Sequence, residues 1–255
     1  MKENSNKLNI KVLILAAGQG KRMGAGDLPK VLVPLKGKPM VGYLIDAVKK
    51  SGVDDKPTLV VGKGAEKVKE TFDDEVDYVL QEEQLGTGHA VMVSKEALSD
   101  APNIMVLQGD HPLLSAATIR SLAEKHLAHG GPLTIGTVLT PDFESWRSEF
   151  ASMAKIIRDN QGKVVKILEK EEFTFETKDI KEVNPSYFCF KANWLWANID
   201  KLKNFQAGLN EIPLPALIQI AFKQGHEINT HVISDTKQGL GINTAENLKS
   251  IEELL

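Results

Sequence analysis

One cysteine in 255 residues, Cys189, has no partner for an intramolecular disulfide and rules out an all-cysteine zinc site. Flanked by Phe188 and Phe190, with no basic neighbour to lower its pKa, it reads as a core thiol and not a nucleophile. An excess of positive charge is also missing. Against 34 Asp and Glu stand 31 Lys and Arg, and a net charge of −3 argues against a protein whose main work is gripping nucleic acid. No apolar run approaches the roughly 20 residues of a membrane helix, and the polar stretch Met1–Lys7 is followed by no apolar segment of a secretory signal. These absences lead us to expect a soluble, cytoplasmic protein without membrane or nucleic-acid partners. What is present is an ordinary globular composition, 42% hydrophobic and 25% charged, in a chain long enough to bury a sizeable core.

Short apolar runs alternate with amphipathic stretches through the first part of the chain. Strands are expected at Ile10–Leu15, Thr58–Val61, Val76–Leu80, Ile104–Leu107 and Leu133–Leu139, and helices at Pro39–Lys50, His89–Leu98 and Ser115–His129. Continuous apolar strands in βαβ order imply an α/β fold with a doubly wound, mostly parallel sheet. After Thr140 the pattern becomes mixed. Ala154–Arg158 and Val164–Leu168 flank Asp159-Asn160-Gln161-Gly162, a hairpin signal, and a further strand is expected at Val183–Phe190. Helices at Ala192–Leu202 and Pro215–Gln224, a strand at Ile228–Ile233 and a terminal helix over 244–255 complete a single domain spanning 1–255. His126 and His129, three apart, read as a solvated helix face, and Trp194 and Trp196 as packing.

The first strand runs into Leu15-Ala16-Ala17-Gly18-Gln19-Gly20-Lys21-Arg22-Met23. Glycines in this place allow a tight turn whose N–H groups face a nucleotide's phosphates. Two general motifs fail here. A dinucleotide fingerprint needs glycine where Met23 stands, which disfavours a nicotinamide-dependent oxidoreductase, and a Walker loop needs Ser or Thr where Arg22 stands. The cations Arg22 and Lys30 beside the turn suit a polyphosphate.

Leu-Ala-Ala-Gly-x-Gly-x-Arg-Met followed by Leu28-Pro29-Lys30-Val31-Leu32 resembles the signature of sugar-phosphate nucleotidyltransferases. Gln81-Glu82-Glu83-Gln84-Leu85-Gly86-Thr87-Gly88-His89-Ala90 and Gln108-Gly109-Asp110-His111-Pro112-Leu113 follow in the order of that family. Together the blocks most resemble the uridyltransferase domain of bifunctional N-acetylglucosamine-1-phosphate uridyltransferases. The resemblance implies a Rossmann-like nucleotidyltransferase fold, with a nucleotide-binding part over about 1–140 and a mixed-strand, sugar-phosphate-binding part over about 141–240. It also implies joining of UTP to a sugar 1-phosphate with release of pyrophosphate, dependent on Mg2+. The attacking phosphate is largely dianionic at neutral pH, so the reaction needs positioning and charge neutralisation and no general base.

By the same resemblance Arg22 holds the triphosphate tail, Lys30 the phosphates at the reacting centre, and Asp110 with Asn243 the metal. Read alone, Asp110 is a turn residue and Asn243 a helix-entry residue. Leu15, Ala16, Ala17, Gly18 and Gly20 would bind the nucleotide, as would Gln81, Gly86, Thr87 and Asp110. A glutamine amide matches the uracil edge and, flipped, the cytosine edge, so hydrogen-bond counting leaves the base open. On the sugar side Glu169, Asn184, Glu211 and Ala154 take the family positions, but with departures. The family's Tyr-Gly-Arg-Ile reads Met153-Ala154-Lys155-Ile156, its Asn-Thr-Gly reads Asn184-Pro185-Ser186, and Glu211 is followed by Ile212-Pro213-Leu214-Pro215. Two prolines remove N–H donors there. A different acceptor, CTP or dTTP in place of UTP, and a non-catalytic nucleotide-binding regulator are the alternatives. The bifunctional enzymes continue into a hexapeptide-repeat acetyltransferase domain; this sequence ends at Leu255 without such repeats, so acetyl transfer is not expected.

Overall fold

Every residue of β1 (Lys11–Leu15) except the ends is fully buried, because the strand has a core on each side. Val12 and Ile14 point into one apolar cluster and Leu13 into the other, the period-2 alternation of a strand in the middle of a sheet. The structure, a computed structural model, describes residues 8–20, 23, 26–205 and 211–255. In chain order β1 is followed by a small hairpin, β2 (Pro34–Leu35) and β3 (Lys38–Pro39), then α1 (Met40–Ser51), β4 (Thr58–Val61), α2 (Ala65–Phe72) and β5 (Asp77–Leu80). Next come α3 (Thr87–Val93), β6 (Asn103–Gln108), α4 (Ala116–His129) and β7 (Leu133–Leu139). The hairpin β8 (Lys155–Arg158) and β9 (Val164–Leu168), the long β10 (Glu182–Lys191), α5 (Ala192–Asn198), α6 (Ala216–Lys223), β11 (Asn229–Ile233) and α7 (Ala245–Leu254) complete it.

The main sheet runs β11-β7-β10-β6-β1-β4-β5. β1 pairs in parallel with β4 and β6, β4 with β5, and β7 with β11. β10 is antiparallel to both neighbours, placing Phe188 opposite Val106 on one side and Ile135 on the other. Its first residues also pair with β8, Val183 opposite Lys155, so the hairpin hangs from the same strand that closes the sheet. α1, α2, α4 and α7 cover one face and α3, α5 and α6 the other. α1 buries Leu44, Ile45 and Val48 and stops at Gly52, whose φ of 67° ends the helix by the left-handed route. No helix among the described residues is long and apolar enough to cross a membrane.

The expected strands fall within one or two residues of their observed bounds. The helices differ more. Ser115 caps α4, its hydroxyl accepting from Thr118 N–H, and does not belong to it. The helix expected at His89–Leu98 starts two residues earlier and ends at Val93, with Leu98 buried in hydrogen-bonded turns. The stretch Ala192–Leu202 divides into α5 and a 3-10 turn over Ile199–Phe205. α2 went unread because five of its eight residues are polar; only Ala65, Val68 and Phe72, at i, i+3 and i+7, are buried. His126 corrects the expected solvated face. It is 1% exposed, its Nδ1 lies 3.0 Å from Thr134 Oγ1, and burial, helped by the charges of Lys191 and His129, pushes its pKa down to about 4. His129 is exposed.

Lys155 in β8 is buried between aromatic rings, Nζ lying 4.1 Å from the Phe143 centroid and donating to Phe150 O at 2.9 Å. Burial, followed by the nearby Lys181 charge, lowers its pKa from 10.5 to about 8. Between these two values the unfolded chain binds a proton that the folded chain does not, so this group adds stability as pH rises through the window and withdraws it as pH falls through 8. Lys155→Met is expected to flatten the stability-against-pH curve between about pH 8 and 10.5 relative to wild type, by on the order of 2–3 kcal/mol. Urea titrations of both proteins across that range check it; parallel curves would refute it.

Candidate active site

Two cavities open at the carboxyl ends of the parallel strands, where open α/β sheets receive ligands. The larger, about 530 Å³, is bounded by the loop after β1, the loop after β5 and the segment Glu211–Pro213. The smaller, about 360 Å³, lies toward β8, β9 and β10. Thr87, Gln108, Asp110 and Asn243 border both. The two cavities therefore meet along one short wall that carries the acidic residue.

The glycine loop takes its shape from the strand before it. Ala16 N–H donates to Val60 O at 2.9 Å and Ala16 is buried beneath the turn. The next four N–H groups, of Ala17, Gly18, Gln19 and Gly20, make no hydrogen bond among the described residues. A run of such donors can hold an anion where the groups converge. Leu15, Ala17 and Gly18 line the larger cavity, while Gly20, at φ +63°, lies over the stem of Lys30. A Cβ there would come within 2.8 Å of Lys30 Cβ, so the glycine lets the lysine pass under the loop. Arg22 lies outside the described residues.

Lys30 opens a 3-10 turn, Lys30–Leu32, and is 9% exposed. Its ammonium pairs with Asp110 Oδ2 and donates to Asn243 Oδ1 at 2.8 Å. Gly109 N–H donates to Leu15 O at 2.9 Å, which seats Asp110 beside the glycine loop, and Ile242 N–H donates to Asp110 O at 2.9 Å, which brings Asn243 to it. Burial alone would raise the Asp110 carboxyl. The positive charges of His111, when protonated, and of Lys30 reverse the sign and hold it below the ordinary carboxylate range.

His111, buried at the edge of the smaller cavity, has a determined tautomer. Tyr187 Oη donates its only proton to Gln238 O at 2.5 Å, so at the 2.6 Å contact with His111 it must accept from Nδ1–H. Burial keeps the phenol protonated and lowers the imidazole pKa, so Nε2, 3.6 Å from Asp110 Oδ1, carries a lone pair at neutral pH.

In the loop after β5, Gln81 is 3% exposed and its Nε2 donates to Gly86 O at 3.1 Å. That bond fixes the amide and leaves Oε1 as the group without a partner among the described residues. Gln84 Nε2 donates to Ala17 O at 2.8 Å and ties this loop to the glycine loop. Thr87 Oγ1 accepts from Leu214 N–H at 3.0 Å, and Ile212 bonds Leu85 O and Gly88 N–H through its own backbone. This stitching carries Glu211 to the larger cavity, while Leu214 and Pro215 line the smaller one.

Ala154, Glu169 and Asn184 all line the smaller cavity. Ala154 O accepts from Asn184 N–H at 3.0 Å. Burial and the neighbouring Glu171 and Glu172 push the Glu169 carboxyl above its ordinary value. Gln108 and His111 were not singled out from the sequence although both belong to the Gln108–Leu113 block. The usable signal was position: a polar residue ending an apolar strand, and one directly after the acidic residue.

Residues 12–160 match the MobA-like NTP transferase domain. The chain belongs to that family. It is also 39% identical over 241 residues to the bifunctional protein GlmU of Shouchella clausii, covering 94% of this chain and 51% of the relative. The bifunctional protein GlmU of Clostridium beijerinckii is 39% identical over 245 residues, 95% of this chain and 51% of the relative. The chain thus spans about half the length of the curated relatives it matches. Among solved structures, the inositol-1-phosphate CTP transferase from T. maritima superposes with a TM-score of 0.71 at 20% identity, over 96% of this chain and 94% of that one. A putative glucose-1-phosphate thymidylyltransferase from Bacillus anthracis gives 0.74 at 15% identity with the same coverage. Both likenesses support the Rossmann-like nucleotidyltransferase fold with its mostly parallel central sheet, and this family member is a nucleotidyltransferase.

Proposed function

We propose that the protein joins UTP to a sugar 1-phosphate, with N-acetylglucosamine 1-phosphate as the first candidate, releasing pyrophosphate and a UDP-sugar in the cytoplasm. The observation that carries this reading is the junction of two cavities at Asp110 and Asn243, both of which meet the Lys30 ammonium. In it the nucleotide occupies the larger cavity, its phosphates against the glycine-loop N–H groups that bond nothing among the described residues, and the acceptor occupies the smaller. An acceptor phosphate oxygen bonds to the α-phosphorus while the bond from that phosphorus to the bridging oxygen breaks, and pyrophosphate leaves with the electron pair. Lys30 neutralises charge at the reacting phosphates, which otherwise repel one another. The GlmU relatives support the uridine reading. Gln81 is compatible with it, since Oε1 can accept from the N3–H of uracil or thymine, although it can equally accept from the N4 amino group of cytosine.

A magnesium ion fits the residues present. Asp110 and Asn243 offer hard oxygen donors that already share one cation, the Lys30 ammonium, and Mg2+ needs few protein ligands when phosphates supply others. When bound by these two residues it would screen the phosphate charge in the transition state.

The test is pyrophosphate release across UTP, CTP and dTTP, each paired with N-acetylglucosamine 1-phosphate, glucose 1-phosphate and other sugar 1-phosphates, with magnesium and after chelation. Turnover with UTP that chelation abolishes is expected. No turnover with any pair would sink the proposal, and UTP binding without product would favour the regulatory alternative.

A further inference from the structure

Ser186 stands in the wall of the smaller cavity with φ +65°, a conformation glycine adopts freely and serine does not. β10 shifts register against β7 between Val183 and Tyr187, and the irregularity is pinned from two sides. Ser186 N–H donates to Asn184 Oδ1 at 2.8 Å, and Ser186 O accepts from Gln108 Nε2 at 3.2 Å. Both backbone groups are therefore engaged, and the hydroxyl is the one polar group of the residue that makes no hydrogen bond among the described residues. The half-buried residue thus presents to the cavity a side chain that the fold does not use. Glycine would make the same turn without strain, so the fold alone gives no reason for a serine. Strain kept at a ligand cavity points to binding. The other described non-glycine residues with positive φ, Lys36, Asp73 and Ser145, lie outside both cavities.

We propose that Ser186 reads the acceptor: its Oγ hydrogen-bonds a hydroxyl or acylamino substituent of the sugar ring while the sugar's phosphate lies toward Asp110. This rests on the reading of the smaller cavity as the acceptor site. Ser186→Ala removes the hydroxyl and keeps the strain; Ser186→Gly removes both. The KM for the acceptor is expected to rise about three- to tenfold in each, the loss of one hydrogen bond, with the nucleotide KM unchanged. The Tm should rise in Ser186→Gly only. An acceptor KM unchanged in both variants overturns the inference, as does a loss in Ser186→Ala that Ser186→Gly does not share. If wild type turns over no pair, the functional proposal fails separately. Calorimetry with N-acetylglucosamine 1-phosphate then decides this one: weaker binding in both variants sustains it, and equal or absent binding in wild type and variants overturns it.

Discussion

Lys30→Ala is expected to lower kcat by about 10²–10³-fold, the cost of removing one electrostatic donor from a transition state. The same substitution has a second, opposite effect. The ammonium occupies the space between Asp110 Oδ2 and Asn243 Oδ1, the two oxygens that would hold a divalent cation. On the proposal that these oxygens take a metal, Lys30 would compete with it in the protein without nucleotide, and its removal should tighten Mn2+ binding measured by electron paramagnetic resonance. Asp110→Asn should weaken that binding and the magnesium dependence of turnover together. A Lys30→Ala protein with wild-type kcat would remove Lys30 from the reacting centre; one with weaker Mn2+ binding would remove the competition. The two readouts separate a lysine that serves the phosphates from one that only props the acidic residue in place. Loss of a prop would take away the Lys30 charge that helps hold the Asp110 carboxyl down and would make it a poorer metal ligand.

Periodicity and composition alone made the parallel half of the sheet legible. The runs at β4 and in the middle of β6 are short, apolar and buried, and a strand buried on both faces leaves that imprint. The lateral place of β10 was not legible. Nothing in Glu182–Lys191 says that it enters antiparallel between β6 and β7, because sequence order does not encode sheet order. The same limit applies to the site. The glycine loop announces itself through spacing and local charge, whereas Asp110 and Asn243 read individually as a turn residue and a helix-entry residue. Only resemblance paired them, and the Ile242 N–H to Asp110 O bond is the physical reason they meet. Glu211 has its place set by the backbone: bonds from Ile212 to Leu85 and Gly88 fix its segment and put it at the larger cavity. His126 shows the matching limit of periodicity: a polar residue on an amphipathic helix can be buried when a strand hydroxyl such as Thr134 meets it.

Gly86→Ala is expected to be strongly destabilising. Gly86 has φ 92° and ψ 179°, a region that only glycine occupies without strain. A methyl group there would also stand 2.8 Å from both the N and the O of Ile212, backbone atoms that cannot swing aside. Strain and overpacking each cost about 1–3 kcal/mol, so a loss of about 2–6 kcal/mol is expected. The loop can relieve that cost only by breaking the bonds from Ile212 to Leu85 O and Gly88 N–H, which opens the wall that Gln81, Thr87 and Glu211 give to the larger cavity. Nucleotide affinity should therefore fall with stability, while Ala154, Glu169 and Asn184 at the smaller cavity keep their arrangement. Gly130→Ala is the control. It too has positive φ, at 71°, but a Cβ there meets nothing within 4 Å, so only the conformational cost of about 1 kcal/mol remains and nucleotide binding is unchanged. Thermal melts with and without UTP compare the two. Equal destabilisation, with equal ligand-induced shifts, would show that contact between Gly86 and Ile212 does not shape the nucleotide cavity.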